Sequence, residues 1–250
     1  EFRRVLFRSS LVVVILLIVV AAQVASAAAV SDAELTRDIR RQISGLDYGS
    51  GRPTVSVSGG VVTISGTVAS LWLKEETINR ALKVQGIESL VSDLMIARAE
   101  SDEKLAAEVI KAVRGYALFG VYDDFQGRIK NGTVFLGGAV TEPKKLSDIV
   151  ERVAKIKGVQ AIDNKVTVLP ANQSDDQLRL AIANAIYSLS EFERYSMADP
   201  PIHIVVERGH VTLTGIVRSE IEKRKAYEAA RFINGVLALE DKVQLARNVK

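Results

Sequence analysis

Val62-Thr63-Ile64-Ser65-Gly66-Thr67-Val68 alternates apolar and small polar residues, and a glycine takes one position of the apolar phase. Alternation with period two marks a strand with one buried face. The pattern recurs as Val134-Phe135-Leu136-Gly137-Gly138-Ala139-Val140, and again as Val211-Thr212-Leu213-Thr214-Gly215-Ile216-Val217. Six residues before each central glycine lies another, at Gly60, Gly132 and Gly209, and twenty residues after it a third, at Gly86, Gly158 and Gly235. Nine of the 17 glycines therefore belong to one framework used three times. Upstream, Val57, Ile129 and Val206 share one offset, and Gly59-Gly60, Asn131-Gly132 and Arg208-Gly209 separate them from the alternating runs. Gly-Gly and Asn-Gly are strong signals for two-residue hairpins, whose central residues need positive φ. The second unit has Gly127 where the others carry Val55 and Ile204, which predicts a shorter first strand there.

Outward from the hairpins, each unit opens with apolar residues four apart: Leu35, Ile39 and Ile43; Leu105, Val109 and Val113; Leu178, Ile182 and Ile186. That spacing lays one apolar stripe along a helix. Ser31 with Glu34 and Ser174 with Gln177 fit capping boxes, and Ser101 keeps half of one. A second helix follows the central glycine, with Ile78, Ala81 and Val84, then Val150, Val153 and Ile156, then Tyr227, Ala230 and Ile233 facing inward. Gly86, Gly158 and Gly235 are placed to end it with a left-handed residue. Leu90 and Leu94, Ile162 and Val166, Leu239 and Val243 mark a third strand, joined to the second by a helical crossover and hence parallel to it. The expected fold is α+β: three tandem α-β-β-α-β two-layer sandwiches, each a small mixed three-stranded sheet with two helices on one face. The expected modules span 28–98, 101–170 and 174–247, after an N-terminal signal helix at 1–27.

In that leading segment Leu11–Ala22 is an unbroken apolar run, with Arg3, Arg4 and Arg8 before it and Ala25-Ser26-Ala27 after it. Basic flank, short apolar stretch and small-residue site are the parts of a secretory signal. Twelve helical residues rise about 18 Å against a hydrocarbon core of roughly 30 Å. Export to the periplasm with cleavage near Ala27 is the reading; an uncleaved anchor in the inner membrane, facing the periplasm, is the alternative.

Lys and Arg number 33 against 30 Asp and Glu, and the leading arginines supply most of the net +3. The rest is nearly neutral, which excludes a globally basic nucleic-acid footprint. The absence of cysteine from the sequence excludes disulfides, thiolate metal sites and cysteine nucleophiles. The two histidines, His203 and His210, fall on one hairpin at positions opposite Thr214 and Glu207, roughly 13 Å apart and too far to share an ion. Asp123-Asp124, Asp175-Asp176 and Glu75-Glu76 pair with no activated group, and Asp175-Asp176 serves the dipole of a helix's first turn. Gly49-Ser50-Gly51 lacks the Lys-Ser/Thr ending of a phosphate loop. Neither an enzyme, a metal site nor a cofactor is expected.

The opening helix, the motif V-x-V-x-x-G-x-V-x-[IL]-x-G-x-V and a helix ending in x-G-[VI] together resemble the BON domain. Val55–Val68, Arg128–Val140 and Ile202–Val217 carry the likeness, which covers about residues 31–246. With the export signal, the chain is similar to osmotically inducible periplasmic proteins built from this domain. The resemblance implies a non-enzymatic protein that contacts phospholipid at the bacterial envelope under osmotic or envelope stress, and supplies no catalytic residues. A periplasmic protein-interaction or chaperone-like scaffold that never touches lipid, binding other envelope proteins, is the alternative. The oligomeric state is open.

Candidate contacts come from two features. Tyr116, Phe119, Tyr122 and Phe125 occupy the segment between first helix and first strand in the second unit, and Phe192, Tyr195 and Met197 occupy it in the third. Such rings either meet a headgroup layer or pack between units. Lys144 and Lys145, then Lys223, Arg224 and Lys225, lie on the second helices, where they either meet anionic headgroups or form a mixed-charge solvated face. Trp72, at the start of the first unit's second helix, is an interfacial anchor if exposed and core if buried.

Overall fold

A computed structural model of the chain describes residues 30–49, 51–197 and 199–246. The expected signal helix lies outside the described residues. Each module runs helix, hairpin, helix, strand. The first holds α1 (Asp32–Ile43), β1 (Thr54–Ser58), β2 (Val61–Val68), α2 (Leu71–Ala81) and β3 (Ser89–Ile96). The second holds α3 (Asp102–Arg114), β4 (Asp124–Lys130), β5 (Thr133–Val140), α4 (Pro143–Ala154), β6 (Ala161–Asn164) and β7 (Thr167–Val168). The third holds α5 (Gln173–Tyr187), β8 (Ile202–Glu207), β9 (His210–Val217), α6 (Glu220–Arg231), β10 (Ala238–Asp241) and β11 (Gln244–Leu245). By compactness the chain divides into two units. Among the described residues, one comprises Pro53–Gly66, Thr77–Leu94 and those up to Asp47; the other comprises those within Tyr48–Arg52, Thr67–Glu76 and those from Met95 onward.

All three hairpins turn where the glycine pairs predict. Gly59 and Gly60 have φ of 56° and 79°, Asn131 and Gly132 52° and 76°, Arg208 and Gly209 51° and 76°. Two consecutive left-handed residues make the turn whose twist matches that of the flanking strands. Register follows directly: Val57 faces Val62, Ile129 faces Val134, and Val206 faces Val211. The central glycines allow the hairpin strands to approach: a Cβ on Gly138 would lie 2.1 Å from the Asp124 carbonyl oxygen, and one on Gly215 2.2 Å from that of Pro201. The third strands run parallel to β5 and β9.

Each helix stripe closes onto one face of its sheet. In the second module Leu105, Val109 and Val113 share a core with Val134, Leu136, Val140, Ile149 and Val153. In the third, Leu178, Ile182 and Ile186 pack with Ile204, Val206, Val211, Leu213, Ala226 and Ala230. In the first, Leu35, Ile39, Val62 and Ile64 are fully buried. Each such valine, leucine or isoleucine stabilises its module by about 1.5–3 kcal/mol.

The structure corrects several local expectations. β4 is seven residues long, not short, because Gly127 pairs with Leu136 and the ladder continues to Asp124. The second helices stop at Ala81, Ala154 and Arg231. Val84, Ile156 and Ile233 therefore lie beyond them, in turns closed by their N–H groups donating to Ala81, Val153 and Ala230 oxygens. Ile149 and Ala226, one position before the expected Val150 and Tyr227, take the fully buried sites. Gly86, Gly158 and Gly235 have φ of 92°, 91° and 100°, but sit several residues past the helix ends, in the turn that feeds the third strand. That strand is interrupted in two modules, where Val166 N–H donates to Asn164 Oδ1 and Val243 N–H to Asp241 Oδ1. Ser31 and Glu34 form the expected capping box. Ser174 does not: Asn172 caps α5, its side chain accepting from the Ser174 and Asp175 N–H groups, and Asp175 is thereby released for a different task.

Candidate functional site

The Ser-Asp pair at the head of each module carries a device that the sequence reading passed over. Asp32 accepts from the Gly59 and Gly60 N–H groups at 2.8 and 3.0 Å. Asp102 does the same for Asn131 and Gly132 at 2.7 and 2.9 Å, and Asp175 for Arg208 and Gly209 at 2.8 and 2.9 Å. One carboxylate thus ties the start of each first helix to the tip of its hairpin. Asp175 is not the simple dipole partner expected of it. The N–H groups of Gly60 and then Gly59 hold the Asp32 carboxyl below its usual range. Open recesses of about 550 and 500 Å³ flank this clamp in the second and third modules. Their acids already ligate backbone, so neither recess offers a vacant carboxylate pair.

The residues between α3 and β4 form the junction of the second and third modules. Val121 enters the third module's core, Tyr122 packs against it, and Ile204 N–H donates to the Val121 oxygen at 2.7 Å. Asp123, 1 % exposed, accepts from Gly120 N–H, Thr141 N–H and the Lys145 ammonium, the last at 2.9 Å. Asp124 accepts from the Thr214 hydroxyl across the junction at 2.9 Å. His203 lies against Phe119, ring centroids 5.2 Å apart, with Nδ1 3.2 Å from the Gly120 carbonyl oxygen. A carbonyl only accepts, so Nδ1 carries the proton. Burial pushes the His203 pKa down. Its register opposite Thr214 is as expected, and it works as a junction residue.

The aromatic and basic candidates divide by environment. Phe192 is completely buried and presents no surface, between Tyr187 and Tyr195 at centroid distances of 5.8 and 6.0 Å. Phe119 and Phe125 pack edge to face at 6.0 Å, both half-buried, and Tyr116 is buried. Tyr195 is half-buried and donates to Glu222 at 3.2 Å. Trp72 is half-buried, with the Lys155 ammonium 4.8 Å from its ring centroid. Lys145 is occupied by Asp123, and Lys223 donates to the Val243 oxygen at 2.6 Å. Lys144 is exposed and pairs with Asp148 at 3.0 Å; Arg224 is exposed beside Glu228, and Lys225 is half-exposed on the same helix. Lys144, Arg224 and Lys225 remain as cationic surface, and Trp72, Phe119, Tyr122, Phe125 and Tyr195 as partly accessible rings.

Two surface residues had no signal in the sequence pattern. Phe232 is 81 % exposed and Leu237 75 %, at the turn after α6. Among the described residues no group of three or more His, Cys, Asp or Glu side chains is arranged to hold a metal ion. No described helix is long and apolar enough to cross a membrane.

The BON-domain family model matches residues 31–98, 101–170 and 175–247. No curated protein matches the chain. Two solved structures of CdsD, a structural protein of the type III secretion system of Chlamydia trachomatis, resemble it at 18 % identity and a TM-score of 0.24. One covers 85 % of this chain and 92 % of its own, and the other, a C-terminal domain, covers 86 % and 98 %. Likenesses that weak carry no weight beside the family match, which runs through all three modules. The chain belongs to the BON-domain family.

Proposed function

We propose that this chain is an exported, non-enzymatic binding protein whose three BON modules contact phospholipid at the bacterial envelope, from the periplasm, in protection against osmotic or other envelope stress. The observation that carries this reading is the family match repeated over nearly the whole chain after the first thirty residues. Each module contributes weak contacts, and tandem linkage sums them through effective concentration. Lys144, Arg224 and Lys225 supply cationic surface, each worth about 1 kcal/mol against anionic headgroups. Buried carboxylates serve the fold: Asp123 holds a loop and Asp175 a turn. The test is co-sedimentation of residues 28–250, which contain every described element, with phosphatidylglycerol and phosphatidylcholine vesicles across salt. Binding to anionic vesicles that weakens with salt is expected; no binding to either composition rejects the lipid reading.

One observation favours the scaffold reading. The Val121 oxygen, in the turn before β4, already accepts from the edge strand β8 through Ile204, an in-chain instance of a connecting segment docking on a BON sheet edge. An unfolded client captured by a chain that ignores both vesicle types would select that alternative.

A further inference from the structure

The three copies give an internal standard for the tip where the hairpin meets the turn after the second helix. One side chain lies across the hairpin glycine in every module: Glu88 over Gly60, Gln160 over Gly132 and Leu237 over Gly209, each within 2.9 Å of where a glycine Cβ would stand. Three residues before the turn glycine stand Lys83, Lys155 and Phe232, and four before it Leu82, Ala154 and Arg231. The first hairpin residue is Gly59, Asn131 or Arg208. Only the third module thus replaces polar side chains by a phenylalanine and a leucine and adds two arginines at this tip.

The second module shows what this tip does when it is covered. Gly158 N–H donates to the Ala69 oxygen, Gln160 Nε2 to the Ile96 and Ala97 oxygens, and Lys155 sits over Trp72. In the third module the counterpart residues are the two most exposed large apolar side chains of the described chain, at 81 % and 75 %. Arg231 lies over the Phe232 ring, Cζ 5.7 Å from its centroid, and Leu237 N–H donates to Gly209 beside Arg208.

We propose that Phe232 and Leu237 enter an anionic phospholipid surface, with Arg208 and Arg231 on its phosphates; this rests on the lipid reading above and names its site. A phenylalanine and a leucine beside guanidiniums match the order of a membrane interface, where such apolar side chains reach the headgroup–acyl boundary and arginine forks onto phosphate oxygens. The small area decides against a protein partner. A phenylalanine buries about 150–250 Å² and the smaller leucine less, so the pair falls short of the roughly 800 Å² per partner of a stable interface. A lipid layer requires no complementary shape.

The test uses residues 28–250 and vesicles of phosphatidylglycerol with phosphatidylcholine. Phe232→Ser with Leu237→Ser is expected to lower the partition coefficient at least tenfold with unchanged far-UV circular dichroism. Arg208→Asn with Arg231→Ala, the second module's own residues, is expected to lower it several-fold and flatten its salt dependence. Because the chain has no cysteine, a polarity-sensitive dye on Asn234→Cys reports the tip; it should shift to the blue on vesicles, while the same dye on Lys83→Cys in the first module should not. If the wild type binds and the Ser double variant binds within twofold of it, the tip is not the site although the lipid reading stands. If the wild type binds no vesicle, the lipid reading itself falls and takes the insertion with it. A dye shift that rises with protein concentration in the absence of lipid assigns the tip to a second copy of the chain and overturns the proposal.

Discussion

Asp175→Ala tests the clamp where solvent is least able to replace it. The carboxylate is 2 % exposed and accepts from Arg208 and Gly209 at 2.8 and 2.9 Å. Hydrogen bonds to a charged group contribute about 1.5–3 kcal/mol each, and removing the acceptor strands two donors in a turn that already holds a non-glycine residue at φ 51°. The expected loss is about 3–5 kcal/mol, a large share of the 5–15 kcal/mol typical of a domain. Asp175→Asn retains one acceptor and places its amide hydrogens against the other N–H, so about half of that loss is expected. Urea unfolding followed by circular dichroism measures the change. Hydrogen exchange at the Arg208 and Gly209 amides locates it in the third module, which matters because three modules need not unfold as one transition. Asp32→Ala is expected to cost less, since water reaches that carboxylate. A loss below about 1 kcal/mol for Asp175→Ala, unchanged exchange at its two amides, or a larger effect at Asp32 would refute the reasoning.

The Asp32 and Glu34 carboxyls are held low in the folded state, by Gly60 and Gly59 N–H groups and by the Ser31 hydroxyl. Their stabilisation is present above an unfolded value of about 4 and is lost as pH falls through the lowered values; acid titration of Asp32→Asn should show a shallower loss. His203 is depressed by burial, so the unfolded chain takes up its proton first. Stability at the junction of the second and third modules falls as pH drops below about 6.5 and levels off below the folded value, and His203→Gln should remove that step from a pH series of melting curves. Lys145→Met leaves the Asp123 carboxylate buried without its cation and should cost about 3–5 kcal/mol, with Asp123→Asn in the same chain recovering part of it in a double-mutant cycle. Gly138→Ala puts a methyl 2.1 Å from the Asp124 oxygen and should prevent the second module from folding, read as loss of its protected amides; wild-type protection would refute the close approach.

The sequence by itself determined the modular architecture, because period-two alternation, four-residue stripes and glycine pairs report local geometry. In a threefold repeat, Val62, Val134 and Val211 share one core position, and Gly60, Gly132 and Gly209 one turn position. Local signals failed where a long-range partner intervened. Ser174 fits a capping box by spacing, yet Asn172 caps α5 and Asp175 reaches a turn more than thirty residues away. Phe192 and Phe232 are both aromatic residues in connecting segments, and no one-dimensional pattern distinguishes them. Tertiary packing alone buries the first completely and leaves the second 81 % exposed. The same holds for Lys144 and Lys145, adjacent on one helix: a single 100° step around its axis sends one to solvent and the other onto Asp123. Periodicity specifies which face an element buries, whereas accessibility and ion pairing depend on what the folded chain brings to the other side.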